Sequence, residues 1–184
     1  MRTYLLAAGF CALSAPVLAA GFTVTTPAFR PGATIPMAQV LNGFGCTGGN
    51  RSPALSWSGA PAGTQSYAVT MYDPDAPSGS GWWHWTVFNI PASVHGLAAD
   101  AGAADLNSLP PGAGEGRTDF GFSHYGGPCP PVGDKPHRYV ITVYALKKPH
   151  LPLDANSSGA LVGFMLHANV LATAQIIGHY GRPR

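Results

Sequence analysis

The clearest pattern in the chain runs from Arg138 to Ala145, where alternation puts Tyr139, Ile141 and Val143 on one face and Val140, Thr142 and Tyr144 on the other. Residues two apart share a side of a strand, so this stretch predicts one. Tyr67-Ala68-Val69-Thr70-Met71-Tyr72 is a β-prone run that stops at Pro74 and Pro77, which rule out a central strand beyond it. His84-Trp85-Thr86-Val87-Phe88-Asn89-Ile90 predicts a further strand ended by Pro91, and Leu55-Ser56-Trp57 a short one. Phe22 to Phe29 reads as a first extended segment, and Thr34 to Val40 as an edge strand weakened by Pro36. One helix is predicted near the C-terminus. Asn156, Ser157 or Ser158 can cap it, and Leu161, Phe164, Met165, Ala168 and Leu171 follow at three- and four-residue spacing. Gly159 and Gly163 lower its propensity, so packing must supply most of its stability. Ile176 and Ile177 predict a short closing strand.

The connections are long. Residues 92 to 118 are Ala-, Gly- and Pro-rich and predict an extended surface connection, and Tyr125 to Asp134 a second Gly/Pro loop. Gly 24 and Pro 18 make up nearly a quarter of the 184 residues. Such a composition suggests disorder until the aromatic and β-branched runs are weighed, because they supply area to bury. Lys plus Arg total 10 and Asp plus Glu 8, a formal charge of +2 that offers no large field for nucleic acid or an anionic membrane.

Part of the low charge lies at the N-terminus. Arg2 precedes an apolar run from Tyr4 to Ala19 that ends in Val17-Leu18-Ala19, the small-residue ending of a secretory signal. Cleavage after Ala19 or Ala20 fits. The alternative is a single membrane anchor, although the run is short for a span of about 20 residues. The expected organisation is a signal at 1–20 and one domain at 21–184, periplasmic or secreted, with no stable membrane insertion once the signal is removed. Cys46 and Cys129 then remain. An even count in an oxidising compartment predicts a disulfide, the alternative being two separate buried thiols. Closing a loop of that length is worth about 4 kcal/mol in the chain-entropy model.

Three polar clusters can carry chemistry. Asp73 and Asp75 alternate in a proline-stiffened segment; the plainer reading is an ordinary turn. Trp82-Trp83-His84-Trp85 enters a strand, where alternation places Trp83 and Trp85 on one face and Trp82 and His84 on the other. An imidazole beside indoles can serve as a positioned donor, or simply as a core histidine. His137-Arg138 opens the Tyr139 strand behind Tyr125-Gly126-Gly127-Pro128-Cys129-Pro130-Pro131. A glycine-rich turn can aim backbone N–H groups at an anion, or be only a rigid surface turn.

Asp73-Pro74-Asp75-Ala76-Pro77, the tryptophan-rich approach to His84 and Asn89, Gly127-Pro128-Cys129-Pro130-Pro131 and His137-Arg138-Tyr139 together resemble the phosphatidylethanolamine-binding protein family, in particular its bacterial Raf kinase inhibitor-like branch. The similarity spans roughly Phe22 to Tyr180. It implies a mainly β fold of packed antiparallel sheets with a helix near the C-terminus. It also implies a pocket that accepts phosphate-like or carboxylate-like anions. By motif position Asp73, Asp75, His84 and His137 match pocket residues, Tyr125, Gly126 and Gly127 a pocket-lining loop, and Trp83 the mouth. Asn89 and Arg138 match structural members. The spacer between the aspartates and the histidine is shorter than in the animal members, so their kinase-binding role is not carried over.

The expected function is therefore non-catalytic binding of a small anionic or phosphate-bearing ligand, without a cofactor. An aspartate paired with His84 or His137 raises the pKa of the ring and lets it donate to the anion, so affinity should weaken as pH rises. No Gly-x-Ser-x-Gly elbow and no free reactive thiol point to covalent catalysis. Two histidines and an aspartate as metal ligands are a lesser alternative. The different-class alternative is a protein partner, with the chain acting as a protease inhibitor or signalling module.

Overall fold

The computed structural model describes residues 21–105 and 108–184, and the predicted signal lies outside them. A five-stranded sheet forms the middle layer, in the order β10-β9-β5-β6-β8: Val170–Tyr180, His137–Leu146, Ser66–Asp73, Trp82–Pro91 and Gly114–Glu115. Its neighbours are all antiparallel. A three-stranded sheet, β1 (Thr23–Thr25), β4 (Leu55–Ser58) and β7 (Gly96–Leu97), makes the second layer. A small hairpin, β2 (Asn42–Gly43) and β3 (Cys46–Thr47), stands apart. Helix α1 (Gly159–Asn169) covers the other face of the large sheet. The expected mainly β architecture with one helix near the C-terminus is what forms.

Two cores explain the sequence pattern. Between the sheets Val24, Leu55 and Trp57 meet Tyr67, Val69, Met71, Trp85, Val87, Tyr139, Ile141 and Val143. On the helix side Ala68, Phe88, Tyr144 and Leu146 meet Leu151, Val162 and Leu166. Strand β5 is covered on both faces, which is why it reads as a continuous apolar run.

Several predicted elements need correction. The first extended segment pairs only at Thr23–Thr25. The expected edge strand at 34–40 is a single bridge, Thr34 to His179, followed by a turn, because Pro36 has no N–H to continue a ladder. The closing strand is 11 residues long. The expected surface connection at 92–118 supplies β7 and β8 and buries Leu97, Ala101, Glu115 and Thr118. Its small residues permit close approach: a Cβ on Gly102 would stand 2.8 Å from the Trp85 ring.

The helix is where predicted and is capped by Ser158, whose hydroxyl accepts from Leu161 N–H at 3.2 Å. Its buried face is the opposite of the expected one. Gly159, Val162, Gly163 and Leu166 point inward, while Leu161, Phe164 and, beyond the helix, Leu171 are exposed. The reason is Trp83, whose ring lies where a Cβ on Gly159 would sit, 2.2 Å away. The helix docks through its glycines rather than through its larger side chains. Among the described residues no helix is long and apolar enough to cross a membrane.

Candidate functional site

A cavity of about 230 Å³ opens at one end of the large sheet. Asp73 from the end of β5, Trp82 and His84 from β6, and His137 and Tyr139 from β9 form its polar side. Phe44, Ala76, Pro77, Phe120, Cys129, Pro130 and Pro131 form the rest of the wall, together with Ser78.

A β-bulge brings these side chains together. Met71 pairs with Trp85 but Tyr72 pairs with Trp83, so His84 is an extra residue on β6. The extra residue puts His84 and Trp85 on the same face and reverses the alternation before it. Trp82, His84 and Trp85 thus face the cavity or the inter-sheet core, while Trp83 turns to the helix and lies 4.7 Å from the Tyr72 ring, centre to centre. Gly126 satisfies the backbone and side chain of the unpaired residue: its N–H donates to His84 O at 2.9 Å, and its carbonyl lies 2.7 Å from His84 Nδ1. That contact makes Nδ1 the protonated nitrogen of the neutral ring and leaves Nε2 for a ligand. Trp83 and Asp119 exchange bonds, Trp83 N–H to Asp119 Oδ2 at 2.7 Å and Asp119 N–H to Trp83 O at 3.0 Å. Phe120, next along, stands edge-on to His84 at 5.2 Å.

The two aspartates separate. Asp73 is buried and accepts from His137, Nδ1 to Oδ2 at 2.7 Å, and from Asp75 N–H at 2.8 Å. His137 Nε2 is 3.5 Å from Asp134 Oδ2. Asp75 does not line the cavity. It accepts from Arg138 Nε at 2.9 Å, Nη2 at 2.6 Å and the backbone N–H at 2.9 Å. This bidentate guanidinium lowers the Asp75 pKa to about 2. Burial pushes the His84 pKa down, against the upward pull of Gly126 O and Asp73. The expected aspartate–histidine pair forms at His137, whereas at His84 burial outweighs the pull of Asp73.

The loop before His137 is also placed differently from the expectation. Tyr125 is in the core, its hydroxyl donating to Gln39 O at 2.9 Å and its ring edge-on to Trp85 at 5.6 Å. Gly127 N–H donates to Asn50 Oδ1 at 2.8 Å. With Gly126 bonded to His84, neither glycine N–H is free to meet an anion. These glycines serve close packing instead, since a Cβ on Gly126 would come 2.5 Å from the Phe120 ring. Asn89 is structural, exchanging two bonds with the Leu151 backbone, and Arg138 is structural through Asp75. Cys46 and Cys129 are disulfide-bonded, with Cα atoms 6.0 Å apart.

Sequence reading set Trp82 on the His84 face without naming it a pocket residue, and it missed Tyr139, Phe44 and Phe120 in that role. Tyr139 was within reach, two residues after His137 on one strand face. Phe44 was traceable through its neighbour Cys46, once the disulfide joined that loop to the proline wall. Two of these residues also carry loose ends: Trp82 Nε1 and Tyr139 Oη are buried without a hydrogen-bond partner. Burial, and after it the nearby Asp73, pushes the Tyr139 pKa up, so its hydroxyl stays protonated.

The sequence profile of the family described as phosphatidylethanolamine-binding protein matches residues 25–181. The chain belongs to the phosphatidylethanolamine-binding protein family. It is 54% identical over 180 residues to the UPF0098 protein YbcL of Escherichia coli K12, covering 98% of each chain. Similarity to the UPF0098 protein YbhB of the same organism is 48% over 147 residues, covering 80% of this chain and 92% of YbhB. The crystal structure of Escherichia coli YbcL, described as a new member of the mammalian family, superposes with a TM-score of 0.87 at 58% identity over 88% of this chain and 99% of that one. A protein of Mycobacterium tuberculosis named as a lipoprotein, LppC, is 36% identical over 131 residues, 71% of this chain and 56% of LppC.

Proposed function

We propose that the cavity binds a small anion with phosphate or carboxylate oxygens, without turning it over. The observation that carries this is the meeting of Asp73, His84 and His137, from three strands, in one cavity, with His84 Nδ1 engaged by Gly126 O and its Nε2 left for a ligand. A protonated Nε2 donates, so its partner is an acceptor oxygen. Asp73 need not repel the anion, because its charge already faces His137 Nδ1–H and the Asp75 N–H. At about 230 Å³ the cavity suits an anion with a small substituent rather than a large cofactor.

Binding without turnover is supported by how the potential nucleophiles are used. The Ser78 hydroxyl donates to Gly81 O, and Cys129 is held in the disulfide. The disulfide, the similarity to LppC and the predicted signal support a site of action outside the cytoplasm.

Calorimetry with phenyl phosphate tests the reading. His84→Phe keeps a planar ring in the wall and removes both ring nitrogens, and it should weaken binding roughly ten-fold or more. Benzoate isolates the imidazole titration, because it is ionised at both pH 5.5 and pH 8. Burial keeps the free His84 neutral, so an anion that meets Nε2 draws a proton from solvent, and benzoate should bind more tightly at pH 5.5. Equal benzoate affinity at the two values removes the imidazolium from the mechanism. Absence of binding by either anion at millimolar concentration ends the anion reading.

A further inference from the structure

The outer wall of the cavity carries an aromatic ring that neither core packing nor backbone preference explains. Phe44 and Gly45 are the two-residue turn of the β2–β3 hairpin, with φ of 51° and 78°. Two successive left-handed residues mark a type I′ turn, whose first place is taken cheaply by Asn or Gly. A phenylalanine there is crowded at Cβ, and this one is 68% exposed. It lines the cavity nonetheless, edge-on to Phe120 with ring centres 5.2 Å apart. A strained, exposed aromatic residue at a ligand-sized opening is a sign of function.

The hairpin has little to hold it. It pairs with no strand of the two larger sheets, and its buried cluster is Val40, Leu41 and Cys46. Its base is bonded to the 125–131 loop, Leu41 N–H donating to Pro128 O at 3.2 Å, Asn50 Nδ2 to Tyr125 O and Gly127 N–H to Asn50 Oδ1, while two ties to the proline wall reach the hairpin itself. Arg182 bridges the sides, Nε donating to Pro130 O at 2.6 Å and Nη1 to Gly45 O at 2.9 Å. The covalent tie is Cys46–Cys129, and Cys129 is itself part of the cavity wall.

We infer that the Cys46–Cys129 disulfide is a redox clamp on the cavity, holding Phe44 against the substituent of the bound anion when closed and releasing the hairpin when opened. The inference rests on the anion-binding reading of the cavity. The opening step is thiol–disulfide exchange with a dithiol: one thiolate attacks a sulfur of the pair, the second resolves the mixed disulfide, and two electrons and two protons pass to Cys46 and Cys129 as the dithiol closes to a disulfide. The ligand favoured by the closed form is an anion carrying a small apolar or aromatic group.

The test uses phenyl phosphate and inorganic phosphate on the oxidised protein, the dithiothreitol-reduced protein and Phe44→Asn. The oxidised protein should bind phenyl phosphate about ten-fold more tightly than the reduced one. Phe44→Asn should bind it as weakly as the reduced wild type, in both redox states and without loss of thermal stability, since Asn suits the turn. Inorganic phosphate, with no substituent to meet Phe44, should bind equally in all three. Hydrogen exchange, which needs no ligand, should quicken at the amides of 42–47 on reduction and stay slow in β5 and β9. Unchanged exchange at 42–47, or equal phenyl phosphate affinity before and after reduction, overturns the clamp and leaves the anion reading standing. Loss of the cooperative thermal transition on reduction also overturns it, since the bond would then support the whole fold. An oxidised protein that binds neither phosphate sinks the anion reading and the clamp together.

Discussion

Single side chains in this protein are used in ways their type does not announce. Asp73 and Asp75 sit two residues apart, yet one faces the cavity and the other is neutralised by Arg138 at the surface. Glu115 is the sharpest case. It is 3% exposed, Trp85 Nε1 donates to its Oε1, and its Oε2 has no partner. Burial raises its pKa from 4.5 to about 7, against the opposing pull of the indole bond. Below pH 4.5 the folded and unfolded chains both carry the proton, and the fold keeps its full stability. As pH rises through 7 the unfolded chain has already ionised and the fold loses roughly 3 kcal/mol, less whatever the core relaxes. Glu115→Gln keeps an acceptor for Trp85 and cannot ionise. It should stabilise the protein by up to that amount at pH 8 and change little at pH 4.5. Urea unfolding at the two values decides it, and a pH-independent effect would show that Glu115 does not titrate in this range.

At the scale of elements, what was legible followed from burial on two sides, and what was hidden followed from irregularities. Strands β5, β6 and β9 and the capped helix declared themselves because periodicity and capping are local. The facing of Trp85, which joins His84 rather than Trp83, did not, because the bulge at His84 depends on Gly126, 42 residues away. Asp73, His84 and His137 were found through motif resemblance, and the geometry sets them in one cavity; Trp83, Tyr125, Gly126 and Gly127 belong to the scaffold around it. The helix face was misread because bulk was taken as the guide to burial, while Trp83 demands an absence of bulk. The two helix glycines separate these effects. Gly159→Ala drives a methyl to 2.2 Å from the Trp83 ring, so it should cost about 1–3 kcal/mol despite the better propensity of alanine. Gly163→Ala meets the same ring at 3.4 Å, an ordinary contact, and should gain about 0.5–1 kcal/mol. Opposite signs in thermal unfolding are the expected result; two stabilising effects would mean that the helix is free to move off Trp83.

The whole molecule places its site at one end of the large sheet and ties its wall with a cross-link between loops. Cys46 and Cys129 are 83 residues apart, and the loop they close contains β4, β5, β6, β7 and β8. The unfolded chain is therefore constrained over most of both larger sheets, whereas in the folded state the bond touches only the hairpin and the cavity wall. This division predicts two separable consequences of Cys46→Ser with Cys129→Ser. Stability in urea should fall by about 4 kcal/mol, because the cross-link acts mainly on unfolded-chain entropy. The indole bands that Trp57 and Trp85 give the near-ultraviolet circular dichroism should persist, because both lie in a core to which neither cysteine belongs; the disulfide's own band is lost, and Trp82, beside Phe120 at the cavity, is the indole free to change. Loss of those core indole bands with little loss of stability would reverse the assignment. It would mean that the bond shapes the native core rather than restricting the unfolded chain, and that the two sheets depend on the hairpin.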